Sequence, residues 1–247
     1  MIVAHEAVLE ERSRSSWYLR GMRSAYSVPG FILMSSFVGF SALAKAAGVS
    51  LAATVFMTGI VWALPAQVVL VGAILAGNSL AAAAFAVALS SVRLTPMVVA
   101  LVPEMRGPRT RPLTLYLLSH FVAVTSWVLA MAKFPTVPRD MRTSYYLGLG
   151  STLVLNNMIV VGVVYVLVEA LPSEIGAALF MLTPMYFLTS LWGSAREWAT
   201  NLAMVFGIVL GPVAHVLLPG FDLLVAGILG GGAAFGIYQF TRRTSAA

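Results

Sequence analysis

Apolar runs of about twenty residues alternate along the chain with short segments that hold most of its charge, the pattern of helices that cross a bilayer. The runs predict eight spans: Ser24 to Ala47, Leu51 to Gly77, Leu80 to Val102, Leu113 to Phe134, Thr143 to Leu171, Ile175 to Trp192, Trp198 to Leu218 and Leu223 to Phe240. The fold class expected is therefore an all-α polytopic membrane protein of about eight transmembrane helices. Residues 1–23 read as a cytoplasmic tail, either solvated or lying at the interface as a short amphipathic helix with Trp17 and Tyr18 at the headgroup level. Residues 24–241 read as a single transmembrane domain and 242–247 as a second short tail.

Two of the runs are interrupted. In Trp62-Ala63-Leu64-Pro65-Ala66-Gln67 the proline lacks an amide hydrogen and clashes with the preceding turn, so the second span should kink or break. In Ser90-Ser91-Val92-Arg93-Leu94-Thr95-Pro96 a permanent cation sits about ten residues from either end of the third span, near mid-depth at roughly 1.5 Å of rise per residue. Placing it there costs roughly 2.5–3.5 kcal/mol on insertion scales, so it calls for a partner or a wet cavity.

Composition agrees with the pattern. Of the 247 residues 60% are hydrophobic and 10% charged, and the mean hydropathy is +0.91, which excludes a soluble globular domain. The net charge of +6 lies in short loops and tails and reads as a topology signal rather than a nucleic-acid surface. With both termini inside, eight crossings put Arg12, Arg14, Arg20, Arg23, Lys133, Arg139, Arg142, Arg196, Arg242 and Arg243 in the cytoplasm. Lys45, Arg106, Arg109 and Arg111 then lie outside. Ten against four follows the positive-inside rule, with the loop of Arg106, Arg109 and Arg111 on the unfavoured side. Making part of 51–103 re-entrant evens the count to about seven on each side and remains an alternative.

Chemistry-bearing residues are few. There is no cysteine, and His5, His120 and His215 share no metal-ligand spacing, so neither a metal nor a cofactor is expected. No hydrolase, zinc-protease or phosphate-loop motif is present, and an enzyme is not expected. A broken helix at Pro65 exposes carbonyls before the break and amides after it, a pairing that suits the ammonium and carboxylate of a zwitterion. Pro65, Gln67, Ser91 and Arg93 are accordingly candidate substrate-binding residues, with Asn156 and Asn157 from the centre of the fifth span. His120 and His215 are candidates for proton coupling, their unperturbed pKa lying near 6.5. Each has a structural alternative: a proline kink in a packed helix, an arginine bonding freed carbonyls, asparagines bonding between helices, or histidines satisfied in a core. In that reading the protein is a non-transporting scaffold or accessory subunit.

Taken together, Gly39-Phe40 with Ala47-Gly48-Val49-Ser50, the segment Ala63 to Gln67, and Ser91-Val92-Arg93 resemble the AzlC-type family, the large subunit of two-component branched-chain amino-acid exporters. The resemblance implies a secondary transporter that exports branched-chain or similar hydrophobic amino acids across the bacterial inner membrane, working with a small AzlD-type membrane subunit. It aligns Gln67 and Arg93 with the family's glutamine and arginine. Ser91 stands where the family has asparagine, Leu94 where it has histidine, and Thr125-Ser126-Trp127 where many members carry an acidic segment.

Overall fold

The computed structural model describes residues 2–108, 110–168, 175, 178, 181, 185, 188, 192, 198–218 and 222–245, with the backbone alone at 2–13, 222–224 and 242–245. Every element among them is helical. They are α1 (Ile2–Ala25), α2 (Val28–Ala46), α3 (Leu51–Ile60), α4 (Leu64–Leu75), α5 (Leu80–Val92), α6 (Thr95–Met105), α7 (Pro112–Ser119), α8 (Val124–Lys133), α9 (Arg142–Leu167), α10 (Trp198–Leu217) and α11 (Asp222–Ser245), with short 3-10 turns at Phe134–Thr136 and Arg139–Met141. Length and composition qualify Val28–Ala46, Arg139–Leu167 and Trp198–Leu217 as membrane spans, and the α5–α6 pair, bent by 54°, as a fourth. The chain is an all-α polytopic membrane protein. Most of the expected sixth span, with its Thr183-Pro184, lies outside the described residues.

Two compact units divide the chain: Met1–Val71 with Val87–Thr183, and Gly72–Ala86 with Pro184–Ala247. In the second, α10 and α11 pack together, with the Trp198 and Tyr238 rings 5.9 Å apart and Gly230 against Phe206. The first is built around α9. The N-terminal segment takes the helical of its two expected forms, and α1 crosses α9 where Gly21 meets the backbone of Tyr145 and Leu149 and Gly148 meets that of Tyr18 and Met22. A Cβ at either glycine would collide with backbone, so these two residues set how closely the helices approach. On the next stretch α2 runs in step with α9: the Ser41 hydroxyl donates to the Val161 carbonyl at 2.9 Å and the Lys45 ammonium to Tyr165 at 2.9 Å.

A glycine ends α2 and sends the chain back. Gly48 adopts φ +72°, its amide bonds Lys45, and the Val49 amide bonds Ala44 at 3.0 Å, which satisfies carbonyls left open at the helix end. Ser50 then caps α3 by accepting from the Ala53 amide at 3.3 Å. Descending α3 packs antiparallel to α9: Tyr165 donates to the Val49 carbonyl at 2.7 Å, Val55 meets Gly162, and Gly59 meets Met158.

Three of the expected spans are interrupted rather than two. Beside the predicted breaks between α3 and α4 and between α5 and α6, the fourth span parts into α7 and α8 around residues 120–123. Its two halves return to one end of the unit. The buried Arg142 guanidinium bonds Glu104 in the last turn of α6, at 2.5 Å to Oε2 and 3.0 Å to the carbonyl, and also the Phe134 carbonyl just past α8 at 2.8 Å. The α7–α8 pair thus enters and leaves beside the start of α9. It is a re-entrant hairpin, not a crossing. A correction follows for the loop between α6 and α7: expected on the opposite side from 135–142, it lies against it, with Gly107 packed on Asp140.

Candidate functional site

Two interruptions meet. At the first, Trp62 adopts φ +26°, a region that costs a non-glycine residue on the order of 1–3 kcal/mol. Trp62 is held there by its surroundings. It is 3% exposed, its ring stacks on Phe37 at 6.1 Å, and its Nε1 donates to the Phe121 carbonyl at 3.1 Å. That carbonyl belongs to the second interruption and is free because the helix stops at Ser119. Its second acceptor position takes the Ser126 hydroxyl at 2.6 Å, and Ser126 in turn accepts from the Ala123 amide at 2.9 Å and from the Tyr146 hydroxyl at 3.3 Å. His120 Nε2 completes the link by donating to the Gly59 carbonyl at 2.9 Å. A carbonyl only accepts, so this ring nitrogen carries a proton.

The junction lies in the middle of the unit. Phe121 packs on Gly150, eight residues or about 12 Å along α9, and Gly59 on Met158, sixteen residues or about 24 Å along a helix of 26 residues and about 39 Å. Both α4 and α8 start here, so two helix N-termini with partial positive charge face the junction. The C-termini of α3 and α7 bring carbonyls.

Behind the Trp62 turn is a buried polar strip. Thr54, Thr58 and Gln67 are 0% exposed; the Thr58 hydroxyl donates to the Thr54 carbonyl at 2.9 Å and lies 3.4 Å from Gln67 Oε1. A continuous helix would separate residues 58 and 67 by about 13 Å, so α3 and α4 are angled sharply toward each other. Gln67 Nε2 has no hydrogen-bond partner within the protein. On α9, beside the Met158 that touches Gly59, the fully buried Asn157 donates to the Leu153 carbonyl at 2.7 Å and leaves Oδ1 unpartnered. A buried donor or acceptor left unmade costs about 1–3 kcal/mol, so these atoms are available to a polar ligand.

The other sequence candidates have separate places. Pro65 sits in the first turn of α4, where its missing amide hydrogen is no loss, and the break precedes it. Asn156 Oδ1 accepts from the Tyr26 hydroxyl at 3.3 Å and its Nδ2 has no partner. Ser91 bonds the Val87 carbonyl of its own helix at 2.8 Å. Arg93 occupies the bend between α5 and α6 with its Nε buried and without a partner. His215 lies in α10, in the second unit. The segment that pairs with the Pro65 break is thus 119–123, which has no proline or glycine to mark it. Its one signal is the polar cluster Ser119, His120, Thr125 and Ser126 inside an apolar run.

No curated protein and no solved structure matches the chain. The family described as AzlC protein matches residues 30–171, which include both interrupted segments of the junction and the whole of α9. As that stretch is more than half of the 247 residues, the chain belongs to the AzlC family.

Proposed function

We propose that this chain is the large subunit of a secondary transporter that exports branched-chain or similar hydrophobic amino acids, with the meeting point of the two interrupted segments as its substrate site. The observation that carries the reading is the pair of helix breaks bonded to each other midway along α9. Two helix N-termini suit the substrate carboxylate, carbonyls at the preceding helix ends suit its ammonium, and Phe37, Trp62 and Phe121 offer apolar surface to its side chain. Gln67 and Asn157 supply an unpartnered donor and acceptor beside it. Membership of the AzlC family supports a membrane-transport role, and the requirement for a small AzlD-type membrane subunit is part of the proposal. His120, bonded across the junction, is the candidate proton carrier.

The proposed location is the bacterial inner membrane with both termini cytoplasmic. Arg14, Arg106, Arg111, Lys133, Arg139 and Arg142 belong to the end of the first unit where α9 begins, and Lys45 lies about 35 Å along α9 beside Tyr165. That imbalance supports a cytoplasmic face for the arginine end. Labelled leucine should exchange by counter-flow in proteoliposomes containing this chain and its small partner, with valine and isoleucine competing. No exchange of any of the three, with folded protein and with or without the partner, overturns the reading.

A further inference from the structure

The strip behind the Trp62 turn holds more acceptors than hydrogens to fill them. A helix leaves its last four carbonyls open. Where α3 ends, the Met57 carbonyl accepts the Val61 amide at 2.8 Å and the Gly59 carbonyl accepts from His120, which leaves those of Thr58 and Ile60 without a partner among the described residues. Fully buried Asn157 spends its amino group on the Leu153 carbonyl and keeps Oδ1 unbonded. Gln67, equally buried, faces Thr58 with Oε1 and keeps Nε2 unbonded. A half-turn of that planar amide exchanges oxygen for nitrogen in the same volume. Nε2 then donates to the Thr58 hydroxyl oxygen, whose own hydrogen already goes to the Thr54 carbonyl, and Oε1 becomes the open atom. Register brings these groups to one level: with Val55 on Gly162 and Gly59 on Met158, Thr58 and Ile60 stand opposite residues 159 and 157 of antiparallel α9.

We propose that the strip binds a sodium ion, held by Asn157 Oδ1, Gln67 Oε1 and the open carbonyls that end α3. The donor set selects the class. Hard cations take oxygen ligands, and helix-end carbonyls beside a break in a membrane helix are suited to a monovalent one. None of α3, α4 and α9 contains an acid, so the strip offers oxygens and the negative end of α3 but no carboxylate to balance a divalent ion. An alkali ion also needs neither the histidine nor the cysteine ligands whose spacing the sequence lacks. Bound there, it would join both arms of the α3–α4 elbow to α9. Taken with the proposed export, on which this step rests, sodium then sets the angle of the elbow that carries Trp62 into the substrate site.

The test is thermal melting of the purified full chain in detergent, with sodium chloride exchanged for choline chloride at constant ionic strength and no leucine present. Sodium at ten times its half-saturating concentration should raise the wild-type midpoint by about 3 °C along a saturable curve. Asn157→Leu and Gln67→Leu should each lose the rise and, in choline, melt level with the wild type or above it, since each removes an unbonded polar atom. Ser91→Ala, whose hydroxyl bonds its own helix, should keep it. A flat wild-type response, a rise retained by both leucine variants, or an equal rise with calcium chloride would overturn the assignment. Saturating leucine should leave the half-saturating sodium concentration unchanged or lower it; an increase would give these acceptors to the substrate's ammonium and overturn the ion site. Sodium stabilisation in a chain that exchanges no leucine would uphold the ion site and fail the export reading alone.

Discussion

Arg142 and Arg93 sit in the same unit and lead opposite lives. Arg142, 9% exposed, spends its guanidinium on the carbonyls of Glu104, Phe134 and Val137 and on the Glu104 carboxylate, and lies 5.2 Å over the Phe134 ring. Arg93, placed at a helix bend in an apolar stretch, keeps a buried Nε with no partner. A buried cation with all three of its nitrogens bonded is a fastener, and one with a buried nitrogen unbonded has something left to bind. The sequence draws attention to Arg93 because it stands alone among apolar residues, and passes over Arg142 because charges surround it in a loop. Isolation along the chain is therefore a guide to where a cation is unmet, and no guide to which cation holds the fold.

Substitutions can break this comparison. The largest effect should come from Arg142→Met, which leaves three carbonyls without their donor at about 1–3 kcal/mol each, softened because Glu104 is 38% exposed and falls back on water. A net loss of about 3 kcal/mol, read as early unfolding in detergent and loss of monodisperse elution, is expected. If Arg142→Met elutes and melts as wild type, the fastener assignment fails. Arg93→Met should do the reverse: normal elution with leucine counter-flow reduced at least tenfold. Arg93→Lys keeps the charge and loses the planar fork, so it should recover little. Wild-type counter-flow in Arg93→Met would make Arg93 a second structural cation and erase the contrast.

Gln67→Leu sharpens the point at the other break. Removing an amide whose Nε2 has no partner should leave stability level or raise it by about 1 kcal/mol, while the KM for leucine increases several-fold. A destabilised variant with an unchanged KM would place Gln67 in the scaffold instead. The smallest change belongs to Ser91→Ala. Its hydroxyl is satisfied within its own helix, so counter-flow should stay within about twofold of wild type, well inside the tenfold that 1.4 kcal/mol would produce.

How much was legible follows from what each feature leaves in the chain. Pro65 and Pro96 announce their breaks because a ring cannot continue a helix, and both breaks are present. The break at residues 120–123 has no such mark. It is held open by bonds to distant residues, Trp62 to the Phe121 carbonyl and His120 to Gly59, so its cause lies elsewhere in the chain. Ser119, His120, Thr125 and Ser126 were visible as a polar face, which suits a continuous helix as well as a hairpin tip. The side of the membrane assigned to Arg106 and Arg111 failed because two runs that read as crossings are not: the unmarked hairpin, and one of the two runs between 51 and 103, a stretch that starts beside Tyr165 at the far end of α9 and finishes at Glu104 beside Arg142, as in the re-entrant alternative. A helix was one of the two readings the N-terminal segment allowed, but its packing on α9 was hidden by its charges, although Gly21, fitted to the α9 backbone, sits in it.

Because the natural chain has no cysteine, the site can be located with single cysteines and no background. The most direct measurement is the rate at which a small maleimide modifies Ala123→Cys, at the foot of α8, in proteoliposomes with and without saturating leucine. Ser91→Cys and the exposed Val99→Cys serve as comparisons. With the substrate seated where the two interruptions meet, leucine should slow modification at 123 at least fivefold and leave position 99 unchanged, with position 91 affected less than 123. Protection at 91 with none at 123, in variants that retain counter-flow, would contradict the account and move the substrate to the bend at Arg93.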